Sequence, residues 1–323
     1  MQNMIIEQPL ITVIVPCYNY GHLVTETLQN LKEQSYQVWE CVIVNDGSTD
    51  NTIAIVSEFI KGDSRFRLIS QPNKGLSVAR NSGIKIARGE YIQLLDADDL
   101  LEKHKFKVQA TYLANHPEVD LVYGNVKYFY SNEPAIYYKN VSGEQLEWMP
   151  RVSGQGDDIL VPLLKNNIMP VNSPLIRKRA FEIAGTFDET LLLIEDWDMW
   201  LRFAMRGIRF QYLELKQTDA LVRMHSVSIS QDKWKMRINE LELKERLHQG
   251  EMSQLHKQVL AKEKQKVCFL LFRIILKNAA SGQISTALHR QSQLLRKCFI
   301  MDILKYGSRK ALAKIGLTFN DQT

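Results

Sequence analysis

Along the first hundred residues, short apolar runs alternate with segments whose hydrophobic positions recur every three or four residues. Leu10–Val15 is an unbroken apolar, β-branched run closed by Pro16, the pattern of a buried parallel strand. Leu23, Val24, Thr27, Leu28 and Leu31 then share one helical face. Trp39–Val44 predicts a second strand, Asn45–Asp50 its turn, and Asp50 the N-cap of a helix carrying Ile53, Val56 and Ile60. A third strand over Phe66–Ile69, a helix over Gly75–Arg88 stopped by Gly89, and a fourth strand over Tyr91–Leu95 follow. Strands and helices alternating in this way spell βαβ units and a parallel sheet. Ligands of such sheets bind outside the carboxyl ends of the strands. Pro16–Asn19, Asn45–Asp50 and Asp96–Asp99 should therefore gather along one edge, although they lie far apart in sequence.

The pattern weakens over Ser131–Gly156, which is polar, rich in Tyr, Asn, Gly and Pro, and reads as loops. Order resumes with a helix near Ile159–Lys165, a strand over Ser173–Ile176 and a helix over Arg179–Ala184 closed by Gly185. Another helix follows over Glu195–Arg206, ending at Gly207. Beyond residue 231 the character changes to long Lys/Glu/Gln-rich amphipathic helices. Their apolar positions include Phe269, Leu270, Phe272, Ile274 and Ile275, then Leu294, Leu295, Phe299, Ile300 and Ile303. No internal repeat is present.

Composition adds bounds. The chain has 323 residues, 45% hydrophobic and 24% charged, enough for one large α/β domain with an appendage. Cys17, Cys41, Cys268 and Cys298 lack any C-x-x-C pairing, which favours reduced core cysteines and gives no support to a structural zinc site. No signal peptide is expected from the first ten residues, and no stretch is apolar enough for a spanning helix. The formal charge of +5 is mild but unevenly placed. Twelve Lys/Arg between Lys262 and Lys314 face only Glu263 and Asp302, so an anionic partner is expected for that segment.

Chemistry concentrates in a few places. Asp96, Asp98 and Asp99 end a buried strand and repel one another unless a cation sits among them, which suits Mg²⁺ or Mn²⁺ shared with substrate phosphates. A solvated turn whose aspartate caps a helix from Leu100 is the alternative. Asp46, in an Asp-Gly turn, is either a ligand contact or a turn residue, and Tyr18 and Asn19 either bind or merely cover the sheet end. The first turn has neither G-x-G-x-x-G nor G-x-x-x-x-G-K, so a P-loop and the usual dinucleotide site are unsupported. Glu195, Asp196, Trp197 and Trp200 place acids beside indoles, suited to sugar binding and general-base work, or equally to a core-facing Trp pair with acids at the helix start. His225 stands alone as a structural histidine or a ligand.

Val13–Asn19, Val44–Asp50, Asn73–Asn81, Gly89–Asp99 and Glu195–Trp200, in this order, resemble family 2 glycosyltransferases of the GT-A fold over roughly residues 8–230. The resemblance implies an α/β, Rossmann-like, mainly parallel catalytic domain over 1–230, with a nucleotide-sugar half at about 8–100 and an acceptor half at about 101–230. A basic helical extension covers 231–323. It also implies roles. Pro16, Tyr18, Asn19 and Asp46 contact the nucleobase, and Arg80 the nucleotide. Asp96 lies near ribose or sugar, while Asp98 and His225 hold Mn²⁺ or Mg²⁺, with Asp99 leaving the register open by one position. Ser228 and Ser230 fit a closing loop. Asp196 resembles the catalytic base, with Glu195 as fallback, and Trp197 and Trp200 face the acceptor.

The implied activity is inverting transfer from a nucleotide sugar, UDP-sugar favoured, to a glycan or lipid-linked acceptor, in cell-surface polysaccharide synthesis. Nucleic acid is not expected as a partner. The expected location is cytoplasmic, peripheral at the inner face of the membrane, with 231–323 serving as a helical cap, a homodimer interface or an anionic-membrane contact. A sugar nucleotidyltransferase would want a glycine-rich, basic turn after the first strand, and a catalytically silent binding module would be expected to lose Asp98, Asp196 or His225.

Overall fold

The computed structural model describes residues 8–225 and 232–297. The chain divides into two compact units, Met1–Val227 and Ser228–Thr323. In the first, β1 (Ile11–Cys17), α1 (Val24–Lys32), β2 (Trp39–Asp46), α2 (Thr52–Phe59), β3 (Phe66–Gln71), α3 (Leu76–Ile86) and β4 (Tyr91–Leu94) follow the alternation read from the sequence. Then come β5 (Leu100–Leu101), α4 (Lys105–Asn115), β6 (Leu121–Tyr123), β7 (Val126–Tyr130) and β8 (Glu133–Tyr138). The unit closes with α5 (Asp157–Lys165), β9 (Leu175–Arg177), α6 (Lys178–Ala184), α7 (Glu195–Met205), β10 (Phe210–Tyr212) and β11 (Ala220–Met224).

A seven-stranded sheet runs β10-β6-β9-β4-β1-β2-β3, and a four-stranded one β5-β11-β7-β8. β1, β2, β3 and β4 are mutually parallel where they pair, whereas β9 lies antiparallel between β4 and β6. Every residue of β1, β2 and β4 is buried, as strands covered on both faces require. Pro16 sits inside β1 rather than after it, because β4 stops pairing at Ile14↔Leu94 and no ladder partner is lost on that side. α3 packs closely on the sheet through Gly83, where an added Cβ would come 2.4 Å from Ile14 Cγ2.

Three local expectations are corrected. The N-cap of α2 is Asn51, and Asp50 supports it from one residue earlier, with Oδ1 accepting from Thr52 N at 2.9 Å. No helix starts at Leu100: Leu100–Leu101 pairs with β11, and α4 begins at Lys105. The polar stretch after Ser131 is not all loop, since β8 pairs antiparallel with β7.

The second unit contains α8 (Lys233–Gln249), α9 (Gln254–Ala280) and α10 (Ile284–Lys297). Asp232 caps α8 and Ser253 caps α9 through side-chain oxygens. Trp234, Leu241, Val267, Leu271, Ile275, Ala287 and Leu294 form its core, with Phe269, Phe272 and Ile274 packed against them. Cys17 and Cys41 are free and buried, but Cys268 is disulfide-bonded, against the expectation of reduced thiols. Cys298, Phe299, Ile300 and Ile303 lie outside the described residues, as do the basic side chains from Lys305 onward.

Candidate active site

The carboxyl ends of β1, β2 and β4 meet as the sheet rule requires. Asn19, in a left-handed conformation at φ 59°, binds the β2 turn. Its Oδ1 accepts from Thr49 N at 2.8 Å and its own N–H donates to Ser48 Oγ at 3.0 Å. Tyr18 is exposed beside it and Pro16 is buried. Asp46, also buried, accepts from Gln71 Nε2 (2.7 Å), Lys74 N (3.0 Å) and Gly75 N (2.8 Å). A carboxylate offers about four lone-pair sites, so one remains for a ligand. These bonds hold Gly75, at φ 95°, in the backbone turn that opens α3.

The three aspartates after β4 separate by environment. The Asp96 side chain is 32% exposed and Asp98 14%, while Asp99 is buried. Asp99 accepts from Arg223 N at 2.7 Å and from Asn172 Nδ2, so it is committed to the scaffold. Asp98 Oδ2 lies 3.0 Å from His225 Nε2. Burial and the Asp96 charge push the Asp98 carboxyl above the usual range, partly offset by His225. Burial and the two neighbouring aspartates push Asp99 well above it. Such mutual repulsion is what a cation would relieve. Among the described residues no group of three His, Cys, Asp or Glu side chains could hold a metal. The Asp98 carboxylate and the His225 imidazole are two adjacent donors that could hold Mn²⁺ or Mg²⁺ if phosphate oxygens and water completed the sphere.

A buried bridge joins this loop to α7. Arg80 Nη2 lies 2.8 Å from Asp96 Oδ1, and Arg80 Nη1 lies 2.6 Å from Glu195 Oε1. Glu195 opens α7, and the residue before it, Ile194, has φ 57°, a strained conformation for a β-branched side chain. Asp196 follows, accepting from Trp197 N at 2.7 Å and Asn167 Nδ2 at 3.1 Å. Burial, then the Glu195 charge, raise its carboxyl to about 7, with Arg80 acting in the opposite direction. A carboxyl that exchanges its proton near neutrality is suited to general-base work.

The family model for glycosyl transferase family 2 matches residues 12–181. The chain belongs to that family. GlyG of Streptococcus pneumoniae serotype 4, named a glycosyltransferase, is 37% identical over 136 residues, 42% of this chain and 44% of its own length. This chain thus spans under half of that relative. The Escherichia coli enzyme WfgD, named UDP-Glc:alpha-D-GlcNAc-diphosphoundecaprenol beta-1,3-glucosyltransferase, is 29% identical over 53% of this chain and 67% of its own. Among solved structures, S. aureus TarS residues 1–349 in complex with UDP-GlcNAc superposes with a TM-score of 0.58 at 18% identity, covering 96% of this chain and 93% of that one. The mannosyltransferase PcManGT from Pyrobaculum calidifontis, in complex with GDP-Man and Mn²⁺, gives 0.57 at 20% identity over 95% and 81%. At these identities the likeness establishes the GT-A fold.

Within this family 2 chain, two sets of expected contacts are corrected. Trp197 and Trp200 are core residues: Trp200 is 0% exposed, Trp197 is buried, and their indole N–H groups donate to Leu163 O (2.8 Å) and Met169 O (3.2 Å). Neither presents a face to an acceptor. Arg80, 1% exposed, offers the nucleotide no surface and instead ties two carboxylates together. Two neighbours of the site escaped the sequence reading. Burial and then the Asp98, Asp96 and Asp99 charges push the Tyr20 phenol up, which places it beside the acidic loop. Arg223 Nε donates to Asp98 O at 2.8 Å, and its Nη2 pairs with Glu26 at 2.7 Å. Ser228 and Ser230 lie outside the described residues.

Proposed function

We propose that this chain is an inverting glycosyltransferase that moves a sugar from a nucleoside diphosphate donor, a UDP-sugar by preference, to a hydroxyl of a glycan or lipid-linked acceptor. The observation that carries this reading is the Asp196 carboxyl, raised to about 7 and joined through Glu195, Arg80 and Asp96 to the acidic loop. In the transfer step, Asp196 accepts the acceptor hydroxyl proton. The freed oxygen forms its bond to the anomeric carbon while the bond to the diphosphate breaks on the opposite face, which inverts that centre. Asn167 and the Trp197 N–H keep the carboxylate oriented. Glu195 is spent on Arg80, which leaves Asp196 the base. The remaining lone pair of Asp46, with Tyr18 and Asn19, takes the nucleobase, and Asp96 faces the ribose or sugar. Asp98 and His225 would hold Mn²⁺ or Mg²⁺, which when bound neutralises the departing diphosphate.

The nucleotide sugars in the TarS and PcManGT structures, the Mn²⁺ in the latter and the lipid-diphosphate acceptor in the name of the E. coli relative support the donor, metal and acceptor classes. The proposed role is cell-surface polysaccharide synthesis at the inner face of the membrane, a reading that the acceptor class in that relative's name supports. Among the described residues no helix is long and apolar enough to cross a membrane. The basic segment from Lys262 supplies the attraction to anionic lipid. Its apolar run contributes less than its sequence suggests, because Phe269, Phe272 and Ile274 pack within the helical unit. Hydrolysis of UDP-, dTDP- and GDP-sugars, with Mn²⁺ and with chelator, tests the reading without knowledge of the acceptor. Full turnover in chelator removes the metal. Failure to bind UDP and to hydrolyse any donor removes the function.

A further inference from the structure

With Trp197 and Trp200 buried, the acceptor must be met elsewhere, and the most exposed apolar stretch of the first unit lies in its acceptor half. Ile136, Tyr137, Val141, Leu146 and Trp148 are all exposed within thirteen residues, on and just after β8. We propose that Trp148 is the acceptor platform, its open indole face stacking on a pyranose ring of the acceptor. This rests on the transferase reading above.

Trp148 is held at its ring nitrogen and still exposed. It is 37% exposed, yet its Nε1 donates to Tyr128 Oη at 2.9 Å. The following residues are anchored as well: Met149 packs on the main core, and Val152 O accepts from Tyr123 Oη at 2.8 Å. Tyr128 is itself buried on β7, paired with Val222 of β11, the strand that leads to His225. Burial pushes the Tyr128 phenol up, the indole bond lowers it, and the nearby Asp99 and Asp196 carboxylates push it up again. The hydroxyl that holds Trp148 therefore lies within the field of the proposed base. An indole suits a sugar because the C–H face of a pyranose is apolar while its hydroxyls point outward to water and protein. Ile136, Val141 and Leu146, exposed in the same stretch of sequence, add apolar surface.

The test uses the full chain with UDP and Mn²⁺ and methyl glycosides of glucose, galactose, mannose, N-acetylglucosamine and N-acetylgalactosamine as probes. Binding is read by saturation-transfer NMR, and UDP affinity by calorimetry. At least one glycoside should bind the native protein, with saturation strongest on one face of the ring. Trp148→Ala should weaken it at least about tenfold and Trp148→Phe by no more than about threefold, with UDP affinity unchanged in both. Equal glycoside binding by Trp148→Ala overturns the proposal, as does a native protein that binds UDP but none of the glycosides. Parallel loss of UDP affinity in Trp148→Ala would also overturn it, by reducing the indole to a structural support. A native protein that binds no UDP would sink the donor reading and this inference with it.

Discussion

Replacing Glu195 by Gln keeps the shape and an acceptor oxygen for Arg80 while removing one negative charge next to Asp196. Two carboxylates on adjacent residues of a helix start lie about 6 Å apart; at an effective dielectric of about 20 their repulsion is about 3 kcal/mol, or about two pKa units. Arg80, 2.6 Å from Glu195, keeps its own charge in the variant and so does not reduce that difference. Glu195 raises the Asp196 carboxyl, so its removal lowers it, from about 7 towards about 5. Asp196 acts as base only when ionised. The native rate of transfer should therefore rise with pH through about 7 and level off, and in Glu195→Gln the rise should come about two pH units lower. The assay is nucleoside diphosphate release dependent on acceptor, measured as kcat/KM from pH 5 to 9 with Mn²⁺ constant. An unmoved midpoint, or one moved upward, refutes the electrostatic coupling. If Glu195→Gln is crippled at every pH while Asp196→Asn is mild, the base has been placed one residue too far along.

Other outcomes are expected. Asp196→Asn should cut transfer by about 10²–10⁴ with UDP affinity within a few-fold of native, as measured by calorimetry; a comparable loss of UDP affinity would contradict the division of roles. Asp98→Asn should abolish the rise in Tm that Mn²⁺ gives in the presence of UDP, while the metal-free protein melts as before; a preserved Mn²⁺ effect removes Asp98 as ligand. Gly83→Ala should cost about 1–3 kcal/mol by overpacking against Ile14, seen as a lower denaturant midpoint, and an unchanged midpoint would mean the α3–β1 contact is loose. Binding of the full chain to anionic vesicles should fall steeply with salt, leaving a residue attributable to exposed Leu276, Ile284 and Leu288; no co-sedimentation at low ionic strength eliminates the lipid contact.

The first four strands were legible because each is a continuous apolar run between turn signals, and burial on both faces demands that composition. β6 and β10 were harder: each has three residues, too few for a period to show. The antiparallel insertion of β9 leaves no local trace at all. α7 shows a different limit. Trp197, Trp200, Leu201 and Ala204 stand at the i, i+3, i+4, i+7 spacing of a core stripe, and the structure buries all four. That signal was present, but the adjacent acids drew the indoles into the site. Arg80 likewise lies on the buried face of α3 with Ser77, Ala79, Gly83 and Ile84, a position that calls for carboxylate partners. Its partners, 16 and 115 residues away, could be supplied only by the fold.

The position of β9 has a consequence for how the chain is made. β1 through β4 are complete by residue 94, and each pairs with strands already synthesised. The far edge of β4, however, is closed only by Leu175–Arg177, about 80 residues later, and β6 waits for the same segment on its own flank. During that interval the nascent sheet presents the unpaired edge of a strand that is apolar except for Gln93, the kind of edge that recruits other chains. A ribosome stalled before residue 175 should hold a folded but adhesive intermediate. The slow step of maturation is then the threading of three residues between two waiting strands, a contact of long sequence separation.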